Sequence, residues 1–157
     1  MNLTVQSDYA FRALMFLAVR APRSSTIQEI AGHYGISRGH LMVLVHRLGA
    51  LGFLKTTRGR GGGIRLARPA SEIYVGEIVE AIEPNFHLVE CFHGESSQCL
   101  IDGPCRLNGV FSEALAAWMK VLNAYTLADL VRRNVPLVQL LGGTEQSPPL
   151  RARAHSE

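Results

Sequence analysis

The stretch "SSTIQEIAGHYGISRGHLMVLVHRLGALG", residues 24–52, leaves this chain few folding options. Ser25 and Gln28 have capping-box spacing, and Ile27, Ile30, Ala31 and Tyr34 then share one helical face. Gly35 stops that helix, because glycine accepts the left-handed backbone a helix end needs. Ser37 caps a second helix whose inward face is Leu41, Leu44, Val45 and Leu48, with Gly52 at its close. Two such helices joined through "YGIS" predict a helix-turn-helix. Next come two short strand-like runs, "FLKTT" and "GIRLA", separated by the glycine-rich cationic turn "RGRGG". The expected fold class is therefore mainly α with a small β-hairpin wing.

An earlier helix is expected from Asp8 to Val19, capped by Ser7, with Tyr9, Phe11, Leu14, Met15, Leu17 and Ala18 as its apolar pattern. "VGEIVEAIE" reads as a short helix stopped by Pro84. From Leu107 the pattern is helical and long, with Leu107, Phe111, Ala114, Trp118, Val121 or Leu122, and Tyr125 in one stripe suited to folding back as core or to pairing with a second copy. Thr126 and Asp129 signal the start of a final short helix. These features divide the chain into a winged helix-turn-helix (1–83), a loop (84–106), a C-terminal dimerisation helix with a short terminal helix (107–141) and a disordered tail (142–157). No membrane span or signal peptide is read, so the expected location is cytoplasmic.

The net charge is only +3, yet no acidic residue occurs between Glu29 and Glu72, where Arg38, Arg47, Lys55, Arg58, Arg60, Arg65 and Arg68 all lie. Ordinary solvated surfaces mix signs, so this distribution points to a phosphate-bearing partner, double-stranded DNA. The first residues of the second helix of the pair, Ser37, Arg38, Gly39 and His40, would face base edges in the major groove. Arg58 and Arg60 at the wing tip suit a narrow minor groove. A monomer reads few base pairs, so a homodimer on a palindromic operator is expected.

Every cysteine lies in "CFHGESSQCLIDGPC": Cys91, Cys99 and Cys105. Clustered thiols in the cytoplasm read as metal ligands or redox groups rather than disulfides. C-x7-C-x5-C lacks the paired knuckles usual for zinc, and an iron–sulfur cluster tolerates such irregular spacing. Zinc and inert buried thiols remain as alternatives. A ferredoxin would offer a fourth cysteine, and no nucleophile–base arrangement suggests an enzyme.

The opening "LTVQSDYAFRALMFLA", the wing "RGRGGGIRLARPA", the segment "LVEC…C…CRLNGVF" and the closing "YTLADLV" resemble the winged-helix iron–sulfur regulators, over about residues 1–141. Among these the chain is most similar to the nitric-oxide-sensing NsrR repressors. The resemblance implies that Cys91, Cys99 and Cys105 hold a cluster, of the 4Fe–4S type by resemblance, with 2Fe–2S the other possibility. It implies Asp8 of the partner subunit as the remaining ligand, ahead of His33, His87 and His93. Asn108 stands where relatives that regulate iron–sulfur assembly carry a histidine ligand, which argues against that branch. The implied function is a repressor that loses DNA affinity when nitric oxide attacks the cluster. An iron- or redox-responsive repressor of the same fold and a zinc-stabilised adaptor are the alternatives.

Overall fold

The structure, a computed structural model, describes residues 2–59, 62–92, 98–101 and 104–142. Helices α1 (Val5–Arg20), α2 (Ile27–Tyr34) and α3 (Arg38–Ala50) precede an antiparallel hairpin of β1 (Leu54–Thr57) and β2 (Gly63–Leu66). A 3-10 turn at Ala70–Glu72 leads into α4 (Val75–Ile82), and α5 (Leu107–Leu122), α6 (Leu127–Val131) and α7 (Val135–Leu140) complete the chain. The expected winged helix-turn-helix is present, followed by the expected long helix. Arg60, His93 and the tail from residue 143 lie outside the described residues.

Two helix starts differ from the sequence expectation. Thr4, not Ser7, caps α1. Ser7 is fully buried, and its hydroxyl donates to Glu83 Oε1 at 2.5 Å. Likewise Thr26 and Glu29, not Ser25 and Gln28, form the capping box of α2. The backbone of Ser25 is already committed to β2, donating to Ile64 O (2.9 Å) and accepting from Ile64 N (2.7 Å). Gly35 ends α2 in the left-handed region (φ 65°), and Ile36, buried, donates back to Ala31 O at 3.1 Å.

The buried face of α3 is the one read in the sequence, whereas α1 buries Ala10, Ala13 and Phe16 with the expected Leu14 and Leu17 and leaves Tyr9, Phe11, Met15 and Ala18 only partly covered. Ala10, Ala13, Leu14 and Leu17 of α1 meet Ile30 of α2 and Leu41, Leu44, Val45 and Leu48 of α3. Phe53, Leu54 and Ile64 bring the hairpin onto that core. The C-terminal helices are tied to it by a second antiparallel seam: Val75 N donates to Tyr125 O (2.9 Å) and Leu127 N to Ile73 O (2.8 Å). Beside this seam Gly76 lies against the side chain of Asn123, where a Cβ would stand 2.1 Å from Oδ1. Thr126 and Asp129 form the expected capping box, and Leu127 of α6 is fully buried in the core. In place of one final helix there are two, because the backbone breaks at Arg133 (φ 54°) and Asn134 caps a fresh turn. Among the described residues no helix is long and apolar enough to cross a membrane.

Two tests follow from this packing. Leu127→Ala removes a side chain shared between α6 and the N-terminal helices. It should cost about 2–5 kcal/mol in urea unfolding, in one transition rather than in a separate C-terminal step. Burial pushes the Glu83 carboxyl up, but hydrogen bonds from Ser7 and Thr4 and the charge of Arg47 outweigh it, leaving Glu83 below the ordinary carboxylate range. A carboxyl lowered by folding stabilises above its unfolded pKa, and that contribution is lost as pH falls through the folded value. Melting temperature should therefore fall on acidification through the carboxylate range, and Glu83→Gln should flatten that fall.

Candidate nucleic-acid interface and cysteine segment

The start of α3 carries the first group of expected contacts. Ser37 accepts from His40 N at 3.2 Å, which fixes the turn in place. Arg38, Gly39 and His40 are all exposed, as are Met42, Val43 and His46 farther along. Arg38 is the first helical residue, and no acid occupies that first turn. A cation at a helix N-terminus is disfavoured by the dipole, whereas a phosphate placed there is attracted by both the dipole and the arginine.

The wing supplies the second group. Arg58 is exposed beside Gly59 (φ 97°). Gly62 N donates to Gly59 O at 2.9 Å, and a Cβ on Gly62 would meet Thr57 O at 2.2 Å, so only glycine fits this turn. The hairpin register sets Lys55 directly opposite Arg65, both exposed. Like charges facing each other across a pair destabilise a hairpin in isolation. Among the described residues neither has an ion pair. Both belong to the basic run of the sequence, and the equal strand lengths on either side of the glycine turn are the signal that pairs them.

Two members of the basic run face inward instead. Arg68 bonds Glu72 O (2.6 Å) and the Glu77 carboxylate. Arg47 donates to Gln6 Oε1 (2.6 Å) and to the last carbonyls of α4, Ala81 O (3.2 Å) and Ile82 O (2.9 Å). On the other side of the same junction, Glu83 accepts from Thr4 N (2.8 Å), Thr4 Oγ1 (3.1 Å) and Ser7 Oγ. The start of α1 is thus held to α3 through Arg47 and to the end of α4 through Glu83.

Asp8 lies one residue beyond this junction. It is half exposed and paired with Arg12 at 2.8 Å. Cys91 falls in a short 3-10 turn at residues 90–92, and Cys105 precedes α5 with its amide donating to Ile101 O at 3.1 Å. All three cysteines are half-buried, and none is in a disulfide. Glu90 Oε1 accepts from Gln98 N at 3.1 Å, clipping the two arms of the loop together. Among the described residues, no three His, Cys, Asp or Glu side chains are gathered closely enough to hold a metal ion. Of the rival ligands, His33 lies tilted against the Phe16 ring at 5.3 Å and edge-on to Tyr34 at 4.8 Å, and His87 is exposed.

Residues 3–133 match the Rrf2 family, described as an iron-dependent transcriptional regulator. The chain belongs to the Rrf2 family. It is 46% identical over 142 residues to the HTH-type transcriptional regulator NsrR of Bacillus subtilis, covering 90% of this chain and 97% of that one. Two solved structures share the fold at lower identity. CymR, the global cysteine regulator of B. subtilis, is 24% identical with a TM-score of 0.70, covering 83% of this chain and 96% of that one. T. potens IscR is 24% identical with a TM-score of 0.67, covering 84% and 87%. The chain is a DNA-binding transcriptional regulator and not an enzyme. The charge pattern gives a direct test. Lys55→Ala and Arg65→Ala should each weaken binding about equally on any duplex and lower the slope of log K against log salt by about one, as measured by fluorescence anisotropy.

Proposed function

We propose that this chain is a cytoplasmic, dimeric repressor that senses nitric oxide through a 4Fe–4S cluster and releases a palindromic operator in response. What supports this most is the conjunction of three half-buried thiols in one loop with 46% identity to a regulator named NsrR. The donor set suits such a cluster in its chemistry: soft thiolates from Cys91, Cys99 and Cys105, and one harder carboxylate from Asp8 of the partner subunit. When bound, the cluster supplies iron that reacts with nitric oxide.

The chain's own residues account for the rest. Asp8 is the one donor outside the cysteine segment, and within its own chain it is held by Arg12. Engaging the second copy means exchanging that exposed ion pair, which contributes little, for a shared site. The exposed apolar residues of α5, Leu107, Val110 and Val121, suit the two-fold contact. Ser37, Arg38, Gly39 and His40 would enter the major groove, while Arg58 and Arg60 would reach the minor groove. The two α3 helices must stand about 34 Å apart, or one helical turn, to grip both half-sites. Gln6 and Arg47 connect the start of α1 to α3, so a change at Asp8 is felt in that spacing.

The deciding experiment is visible spectroscopy of protein purified without oxygen, titrated with nitric oxide while operator binding is followed. Brown protein whose absorption bleaches in step with loss of DNA affinity is the expected result. Pale, iron-free protein that still responds to nitric oxide overturns the reading. An Asp8→Ala protein that releases DNA on nitric oxide just as the parent does removes the bridge between subunits.

A further inference from the structure

Next to Asp8 lies an open apolar groove of about 300 Å3. Val5 and Tyr9 of α1 form one wall, His40, Val43 and Leu44 of α3 form the other, and Arg47 closes its end. Val5 is 63% and Val43 70% exposed, so the apolar rim faces water in the single chain. Exposed apolar surface of this kind favours an apolar occupant. Val5, Asp8, Tyr9 and Arg12 repeat at helical spacing and so share one face of α1. A chain segment that meets Asp8 therefore passes over the groove. On the function proposed above, that segment is the cysteine loop of a second copy. This loop carries two exposed apolar side chains: Leu100, 100% exposed and adjacent to Cys99, and Ile101, 60% exposed.

We infer that the groove between α1 and α3 receives Leu100 of the partner subunit. This rests on the reading of Asp8 as a ligand to the partner's cluster, and it deepens that reading. One wall of the groove belongs to α1 and the other to α3, so a side chain seated between them fixes their spacing. An ordered cysteine loop then holds the operator-facing helix directly, by packing, alongside the Gln6–Arg47 bond. When the loop withdraws, α3 loses that support.

The test places a diazirine analogue of leucine at position 100. The sample is cluster-loaded protein assembled without oxygen from isotope-labelled and unlabelled chains. Irradiation should join labelled to unlabelled chains at peptides containing residues 5–9 or 40–44. A link within one chain, a link elsewhere, or none in brown protein that releases DNA with nitric oxide sinks the groove assignment alone. Colourless protein without a response sinks the functional reading and the groove assignment with it. A second measurement uses operator affinity of cluster-loaded variants. Val5→Ser and Leu100→Ser should each weaken binding about tenfold, and the double variant should be no weaker than either single one. Fully additive losses overturn the contact.

Discussion

The guanidinium of Arg47 holds together the elements on which the rest of this molecule depends. It leaves the last turn of α3, satisfies two terminal carbonyls of α4 and takes the side-chain oxygen of Gln6 on α1. Terminal carbonyls have no partner within their own helix, and a cation at that end is doubly favoured, by hydrogen bonding and by the helix dipole. Such charge-assisted bonds are directional in a way the apolar face of α3 is not. Leu41, Leu44, Val45 and Leu48 drive α3 onto the core, but apolar packing alone tolerates small rotations. The Arg47 bonds fix the rotation, and with it which side chains α3 presents outward. Glu83, the next residue after those carbonyls, grips Thr4 and Ser7, so the start of α1 is positioned by the same junction.

Most of the fold was legible because its helices carry clear apolar faces and its turns carry obligatory glycines. Gly35 and the hairpin glycines are forced by backbone geometry, and no tertiary contact could move them. The caps were less legible. Thr4 and Ser7, or Ser25 and Thr26, are nearly equivalent by chemistry; Glu83 accepts from both members of the first pair, and Ile64, distant in sequence, holds the backbone of Ser25 in the second. The basic run was legible as a charge distribution but not as a set of roles. Nothing local distinguishes Arg47 and Arg68, spent on carbonyls and carboxylates, from Lys55 and Arg65, left facing solvent. For the cysteines, residue type and spacing support only an expectation of metal-ligand or redox chemistry. Their assembled geometry is not written there, because a segment without periodicity has no local pattern to set its shape.

Helix α5 presents apolar side chains that its own chain leaves exposed. It has sixteen residues and none is buried, although Leu107, Val110, Val121 and neighbouring Tyr125 are large and apolar. An isolated helix of this length is marginal in water, and its stability comes from packing an apolar face. Its own chain covers only part of that face, chiefly through Phe86 against Trp118 and the close approach at Gly76. On the dimeric reading, the second copy supplies the missing cover along α5 and, at the same encounter, brings a carboxylate to a loop that holds only three thiols. Dimerisation, ordering of the cysteine segment and placement of α3 then draw on one set of contacts. Linkage makes them reciprocal: operator binding favours the ordered loop by the same free energy with which the ordered loop favours the operator. A regulator built this way needs no dedicated signalling path between metal and DNA, since both select the same arrangement of two chains.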